Sequence, residues 1–279
     1  MLRIRPLFES ELVRIDRVDH PPHARHVDPE EEISEQHSIN LLERGSFSID
    51  ERDGLRRVTD EHLFITAPGR AYRYRHDEHD GPPPDVCVAI CFPDSAHDQV
   101  SALVAPLASR PAVVALNNRR AYLRGRLLTH LAAPESAAAL DTIAADLLCA
   151  AYDDGGHRRY RAAQLAWYAR RIDEARRRLD EEFAADHSLA SLGRDAGMSP
   201  FHFARVFREL TGLPPHRYLL RRRLRAAADR LRAGASVTDT CFAVGFRSLS
   251  HFIHTFRRQF GVPPSRLDDI SAGRDTTSS

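Results

Sequence analysis

Ser199-Pro200-Phe201-His202-Phe203-Ala204-Arg205-Val206-Phe207-Arg208-Glu209-Leu210-Thr211-Gly212 is answered, 49 residues on, by Ser248-Leu249-Ser250-His251-Phe252-Ile253-His254-Thr255-Phe256-Arg257-Arg258-Gln259-Phe260-Gly261. Each stretch opens on a serine, whose hydroxyl can accept from the free N–H groups of a first helical turn. Each closes on a glycine, which ends a helix without a Cβ penalty. A shorter segment precedes each: Ser188-Leu189 leading to Ala196-Gly197-Met198, and Ser236-Val237 leading to Val244-Gly245-Phe246-Arg247. Pro214-Pro215 and Pro263-Pro264 follow the closing glycines. Short helix, glycine turn, second helix and stop is the helix-turn-helix pattern, and it is written twice. The second turn holds one extra residue, so Gly197 pairs with Gly245 while Phe203 pairs with Phe252.

Such a unit offers its second helix to the major groove, and successive groove faces on one side of DNA lie about 34 Å apart. Two units in one chain are therefore suited to two adjacent grooves. Residues 215–232 between them start on a proline, consist of good helix formers and precede Gly234. Tyr218, Leu219, Leu220, Leu224, Ala227 and Leu231 give this segment an apolar stripe at helical spacing. The spacing predicts one linker helix that fixes the distance between the two readers.

Pro215, Tyr218, Leu219, Arg223, Leu224, Ala227, Gly245, Phe246, Ser248, Phe252, Phe256, Gly261 and Pro264 fill, in order, the signature of the AraC/XylS family of bacterial transcription regulators. Residues from about 165 to 267 resemble that family's DNA-binding domain. The departures are Gly193 where the family usually has Ala, Thr240-Cys241 in place of Ile-Ala, and Leu267-Asp268 in place of an aromatic and Arg. They fall on scaffold positions, where they are expected to soften packing.

Charge points the same way without the resemblance. Residues 158–279 carry 23 Arg against 13 acidic residues, a net of +10, in a chain whose total is only +1, which leaves about −9 for residues 1–157. A basic half is the expected partner of phosphate, and its affinity is expected to fall with salt. All 40 basic residues are Arg, which reads as the codon bias of a GC-rich genome.

Helical geometry then sorts the faces. Phe203, Val206 and Phe207 fall on one side of the first reading helix, as do Phe252, Thr255 and Phe256 in the second; these are the predicted core. The resemblance implies base contacts at Phe201, Ala204 and Arg205, and at Leu249, Ser250 and His254. Arg205 suits a bidentate contact to guanine and Phe201 an apolar contact to a thymine methyl. Arg208, Arg221, Arg222, Arg257 and Arg258 are the candidate phosphate contacts. His202 and His251 flank buried phenylalanines and are expected to be structural.

The N-terminal half is of another kind. Residues 38–44, 45–49, 61–66, 71–75 and 85–92 read as short strands, punctuated by Asp53-Gly54, Pro68-Gly69 and Gly81-Pro82-Pro83-Pro84. Close spacing predicts a small antiparallel barrel or sandwich. The order of barrel, helices and double motif is similar to that of AraC-family proteins with an N-terminal cupin-like sensor. The expected fold class is thus α+β: a cupin-like barrel with helices, then an all-α domain of two helix-turn-helix units joined by a linker helix. Expected boundaries are 1–95 for the sensor barrel, 96–160 for a helical packing or dimerisation segment with a hinge, and 161–279 for the DNA-binding domain.

No His-x-His occurs, which argues against the metal site of an enzymatic cupin, so no catalytic residue, metal or cofactor is assigned. His20, His23, His26, His76 and His79 read as loop residues. Cys87 and Cys91 share a strand face at about 13 Å, too far for a disulfide without a bend, and read as buried small hydrophobes. His37, Phe64, Tyr72 and Tyr74 are candidates for a ligand pocket. Residues 100–107, 121–131, 135–151 and 164–185 read as helices. In the third of these, Leu140, Ile143, Ala144, Leu147 and Leu148 form a stripe suited to packing on the barrel with a contribution to a dimer. Asp153-Asp154-Gly155-Gly156 reads as a hinge. Without a signal peptide or long apolar span, the expected place is the cytoplasm, with no membrane contact. Expected partners are double-stranded promoter DNA, a small-molecule effector, a second copy as homodimer, and RNA polymerase. The alternative is a cupin-type metal enzyme, or a metal or redox sensor, fused to a DNA-targeting module.

Overall fold

Alternation of apolar and charged residues builds the first half, and buried helical stripes build the second. The structure is a computed structural model that describes residues 3–20, 30–51, 54–75, 85–93, 112–132, 137–153 and 159–267. The chain divides into two compact units, residues 1–161 and 162–279. The side chains of His20, His23, His26, His76 and His79, the expected helix at residues 100–107 and residues 154–156 of the expected hinge lie outside the described residues.

In the first unit, strands β1 (Arg3–Glu9), β2 (Arg14–His20), β9 (Asp85–Phe92), β4 (His37–Arg44), β7 (His62–Thr66) and β10 (Val113–Ala115) form an antiparallel sheet in that spatial order. A second sheet has the order β3 (Glu30–Ile33), β8 (Ala71–Arg75), β5 (Phe47–Glu51) and β6 (Gly54–Val58). The expected closed barrel is therefore corrected to two open sheets. Spacing along the chain reveals strands, but it does not say whether the last pairs with the first; among the described residues no ladder joins the two sheets.

The two sheets share a core. Phe47, Ile49, Val58 and Tyr72 of the smaller sheet pack with Leu42 and Phe64 of the larger, and Tyr74 and Cys87 lie against them. Phe64 meets the edges of Phe47, Tyr72 and Tyr74 at centroid distances of 5.3–5.9 Å, the T-shaped geometry that aromatic quadrupoles favour. β9 is buried along nearly its whole length, as expected for a central strand covered on both faces. Gly45 links β4 to β5 with φ +88°, and a Cβ there would sit 2.8 Å from the Asp85 Cα, so no other residue fits.

Helices α1 (Asn118–Ala132) and α2 (Ala137–Ala151) pack on each other. The α2 stripe of Leu140, Ile143, Ala144, Leu147 and Leu148 is buried within this unit. Buried Arg120 donates to the carbonyls of Ala150 (2.8 Å), Asp153 (2.5 Å) and Ala115 (2.8 Å). A cation thus satisfies orphan carbonyls at the end of α2, where the helix dipole favours positive charge. Arg124 donates to the Leu42 carbonyl at 2.7 Å, and Ser10 to Asp141 at 2.6 Å, which ties both helices to the larger sheet.

The second unit is helical: α3 (Ala162–Glu181), α4 (Leu189–Asp195), α5 (Pro200–Thr211), α6 (Pro215–Arg232), α7 (Val237–Ala243) and α8 (Leu249–Phe260), then a 3₁₀ turn at Pro264–Arg266. Two cores hold it. Leu192, Ala196, Phe203, Val206, Phe207 and Leu210 are buried around α4 and α5. Leu224, Ala227, Leu231, Cys241, Val244, Phe246, Phe252 and Phe256 form the other, around α7 and α8. Helix α6 contributes to the second directly and meets the first through Tyr218, whose ring lies 5.6 Å from that of Phe207.

A candidate nucleic-acid interface

The two long helices of the helix pairs begin and end alike. Ser199 accepts from the His202 N–H and Ser248 from the His251 N–H, while Gly212 (φ +81°) and Gly261 (φ +79°) stop the helices in the left-handed conformation. Capping of this kind fixes the first turn, and it is the first turn that carries Phe201 and Ser250.

Burial then divides each helix lengthwise. In α5 the side chains of Phe203, Val206, Phe207 and Leu210 are buried, whereas Phe201 is 90% exposed and Arg205 and Arg208 are exposed. In α8 Phe252, Thr255 and Phe256 are buried, and Ser250, Ile253, His254, Arg257 and Arg258 are exposed. Ala204 is partly buried. Leu249 is also partly buried and packs on the second core. As the first helical residue, it leans back toward the N-terminal end, as helical side chains do.

The cations differ in what already engages them. On α3, Arg176 pairs with Asp173, Arg177 with Glu174 and Glu181, and Arg178 with Glu182 and Asp195. No such partner stands beside Arg205, Arg208, Arg221, Arg257 or Arg258 among the described residues. Unpaired guanidinium charge is thus concentrated on the exposed faces of α5, α6 and α8, where an incoming polyanion would release counterions. Arg222 differs from its neighbours: its guanidinium lies 4.5 Å from the Phe183 ring and 3.9 Å from Asp180.

Two groups of residues escaped the sequence reading. Arg217 and Arg225 are exposed on α6 four residues either side of the candidate Arg221, a spacing which the sequence displays. Arg223, a position of the family signature with no role assigned to it, donates to the carbonyls of Phe183 (2.7 Å), Ala185 (2.8 Å) and Gly245 (2.9 Å). Nothing in the spacing separates it from Arg222; only the fold brings those carbonyls together.

Residues 192–269 match a helix-turn-helix domain family. Over 98 residues the chain is 38% identical to the HTH-type transcriptional activator RhaS of Escherichia coli (strain SE11), a match covering 35% of this chain and 34% of that protein. The C-terminal unit is an AraC/XylS-type helix-turn-helix domain. The solved DNA-binding domain of AdpA, a global transcriptional factor in complex with a target DNA, is similar to this chain at 30% identity. That likeness covers 38% of this chain and 96% of the other, with a TM-score of 0.35. A probable AraC family transcriptional regulator from Rhodopseudomonas palustris CGA009 is 24% identical over 37% of this chain and 97% of its own, with a TM-score of 0.34. The match spans about a third of the curated relative, so the family assignment concerns the C-terminal unit.

Outside the AraC/XylS-type domain, Phe64 and Tyr72 of the candidate ligand set are buried in the inter-sheet core, with Tyr74 against it. The Tyr72 hydroxyl accepts from the Ala67 N–H at 2.9 Å. His37 lies at the start of β4 and is partly buried. Cys87 and Cys91 are free thiols. Burial and the nearby Asp85 push the Cys87 thiol up to about 12. Among the described residues, no three His, Cys, Asp or Glu side chains gather as a metal would need, and no helix is long and apolar enough to cross a membrane.

Proposed function

We propose that the chain is a sequence-specific transcription regulator whose C-terminal unit reads two adjacent major grooves with α5 and α8. The observation that carries this reading is the pairing of two capped, lengthwise-divided helices with arginines that no acid neutralises. In it, Arg205 donates to a guanine, Phe201 packs on a thymine methyl, and Ala204 lets the helix approach. Leu249, Ser250 and His254 serve the second groove. Arg208, Arg221, Arg257 and Arg258 contact phosphates, with Arg222 as the weakest of that set because Phe183 and Asp180 already hold it.

The N-terminal unit, by the same reading, binds an effector or a second copy of the chain. An effector would act by favouring one arrangement of the protein over another, which requires different affinity for each. The division at about residues 95 and 160, a cytoplasmic place, contact with RNA polymerase and the lack of an enzymatic activity belong to this proposal. RhaS is described as a transcriptional activator, and the assignment to transcription rests on likeness to such regulators.

Selection of duplexes by the full-length protein from a randomised pool tests the reading. The expected product is a bipartite site with half-sites about one helical turn, roughly 10 base pairs, apart. Recovery of no enriched sequence would overturn it.

A further inference from the structure

We propose that His202, anchored by Tyr168, is a positioning residue that sets the Arg205 side chain for base reading before DNA arrives. The inference rests on the assignment of Arg205 as a base contact. Arg205 Nη2 lies 3.1 Å from His202 Nδ1, and His202 Nε2 lies 3.0 Å from the Tyr168 hydroxyl. A guanidinium has donors only, so Nδ1 is the acceptor of the first bond. The ring proton therefore sits on Nε2 and is donated to the Tyr168 oxygen. One tautomer satisfies both contacts: the Arg205 donor requires it, and the Tyr168 hydroxyl, which can accept as well as donate, accommodates it.

The anchor is firm. Tyr168 is buried on α3, its ring 5.6 Å from that of His202 and edge-on to Trp167 at 5.2 Å; Arg171 in turn covers Trp167 at 3.5 Å. A long, exposed side chain that would otherwise sample many rotamers is thereby held at one end of its range, and ordering it beforehand lowers the cost of binding. The second helix pair lacks the device. His251 occupies the place of His202, but its ring lies against Phe246 at 5.6 Å and its ring nitrogens have no hydrogen-bond partner among the described residues; His254 stands where Arg205 would be.

The test is base preference, measured with the full-length protein on a randomised duplex pool, for Arg205→Ala, His202→Leu, His202→Asn, His202→Gln, His251→Leu and the double variant His202→Leu/Arg205→Ala. Arg205→Ala should flatten one base position. His202→Leu should weaken the same position by roughly 3- to 10-fold, a part of the loss of a whole base contact, with the salt dependence unchanged. His202→Asn, which puts an amide oxygen near the place of Nδ1, should restore most of it. His202→Gln, which reaches only the place of Nε2, should not, and His251→Leu should leave that position alone. In the double variant His202→Leu should add nothing. If Arg205→Ala flattens the position and His202→Leu does not, or if His202→Leu costs as much without Arg205 as with it, positioning is overturned and base reading stands. If Arg205→Ala itself changes no preference, both are overturned.

Discussion

The Arg223 guanidinium donates to the Gly245 carbonyl at 2.9 Å while also holding the Phe183 and Ala185 carbonyls, so one side chain of α6 fastens the segment after α3 to the turn of the second helix pair. Its bonds are charge-assisted and their acceptors are backbone atoms that no other described side chain reaches. Arg223→Ala should lower the stability of the C-terminal unit by about 1.5–3 kcal/mol, read as a loss in thermal midpoint. Arg223→Lys should recover only part, since an ammonium cannot span three carbonyls in a plane.

Gly245 itself tolerates no side chain. Its φ is +86°, and a Cβ would lie 2.5 Å from the Ala184 carbonyl oxygen and 2.9 Å from its Cα. The left-handed backbone alone costs an L-residue about 1–2 kcal/mol, and the clash with backbone atoms adds to it. Gly245→Ala should therefore destabilise the unit more than Gly197→Ala, where φ is +67° but nothing lies within 4 Å. Equal midpoints for the two variants would contradict the close approach.

The serine caps should be separable in their effects. Ser199→Ala and Ser248→Ala each remove one bond to the first turn, at 3.3 and 3.4 Å, and each should cost about 1 kcal/mol. Hydrogen exchange should show fraying confined to α5 in the first variant and to α8 in the second.

Salt titration distinguishes arginines that meet phosphate from arginines that hold the fold. Arg257→Ala, Arg258→Ala and Arg208→Ala should each lower the slope of log affinity against log salt by about 1 and weaken all sequences alike. Arg222→Ala should leave the slope nearly intact and lower stability instead, because its guanidinium rests on Phe183. A full unit of slope lost with Arg222 would place it at the DNA.

In the N-terminal unit, Cys87 gives an alkaline signature. Its thiol is held neutral up to about 12, against an ordinary value of 9.0, mainly through burial. The folded state therefore keeps the proton longer than the unfolded chain does. The resulting stability is complete below pH 9 and is lost as pH rises toward 12. Tyr152, pushed by burial from 10.0 to about 12, acts in the same sense over the upper part of that range. The urea midpoint of the unit should fall between pH 9 and 11, and less steeply in Cys87→Ala. At pH 8 the exposed Cys149 should react with a maleimide well before Cys87.

What could be read in advance follows from where the information lies. Helices α5, α6 and α8 were legible to their ends because serine, proline and glycine mark them chemically and phenylalanines mark the buried face. Strands β3 (Glu-Glu-Glu-Ile), β6 (Gly-Leu-Arg-Arg-Val) and β1 (Arg-Ile-Arg-Pro-Leu-Phe-Glu) were not. They form sheet edges rich in charged residues, with side chains largely exposed in β1 and β6, a composition that suits an edge but carries no strand signal. β2 is interior, yet Arg17 stands where the apolar alternation begun by Val13 and Ile15 would continue, and on the other face Asp16 is buried beside Arg14, 2.8 Å away. The exposed face of α5 was legible from periodicity. The role inferred for His202 was not, because Tyr168 lies 34 residues away and only tertiary packing brings it near.

Helix α6 has a consequence for how this architecture can vary. It is 18 residues of unbroken helix, with Tyr218 engaged at one end and Leu224, Ala227 and Leu231 at the other. Adding one residue to it would advance the far helix pair by about 1.5 Å but turn it by about 100°. Its length therefore acts as a phase rather than a distance. Single-residue insertions should be purged here while the turn at Gly197 and Gly245 admits them, and lineages that lengthen the helix should do so in whole turns, with a matching change in the spacing of the sites they occupy.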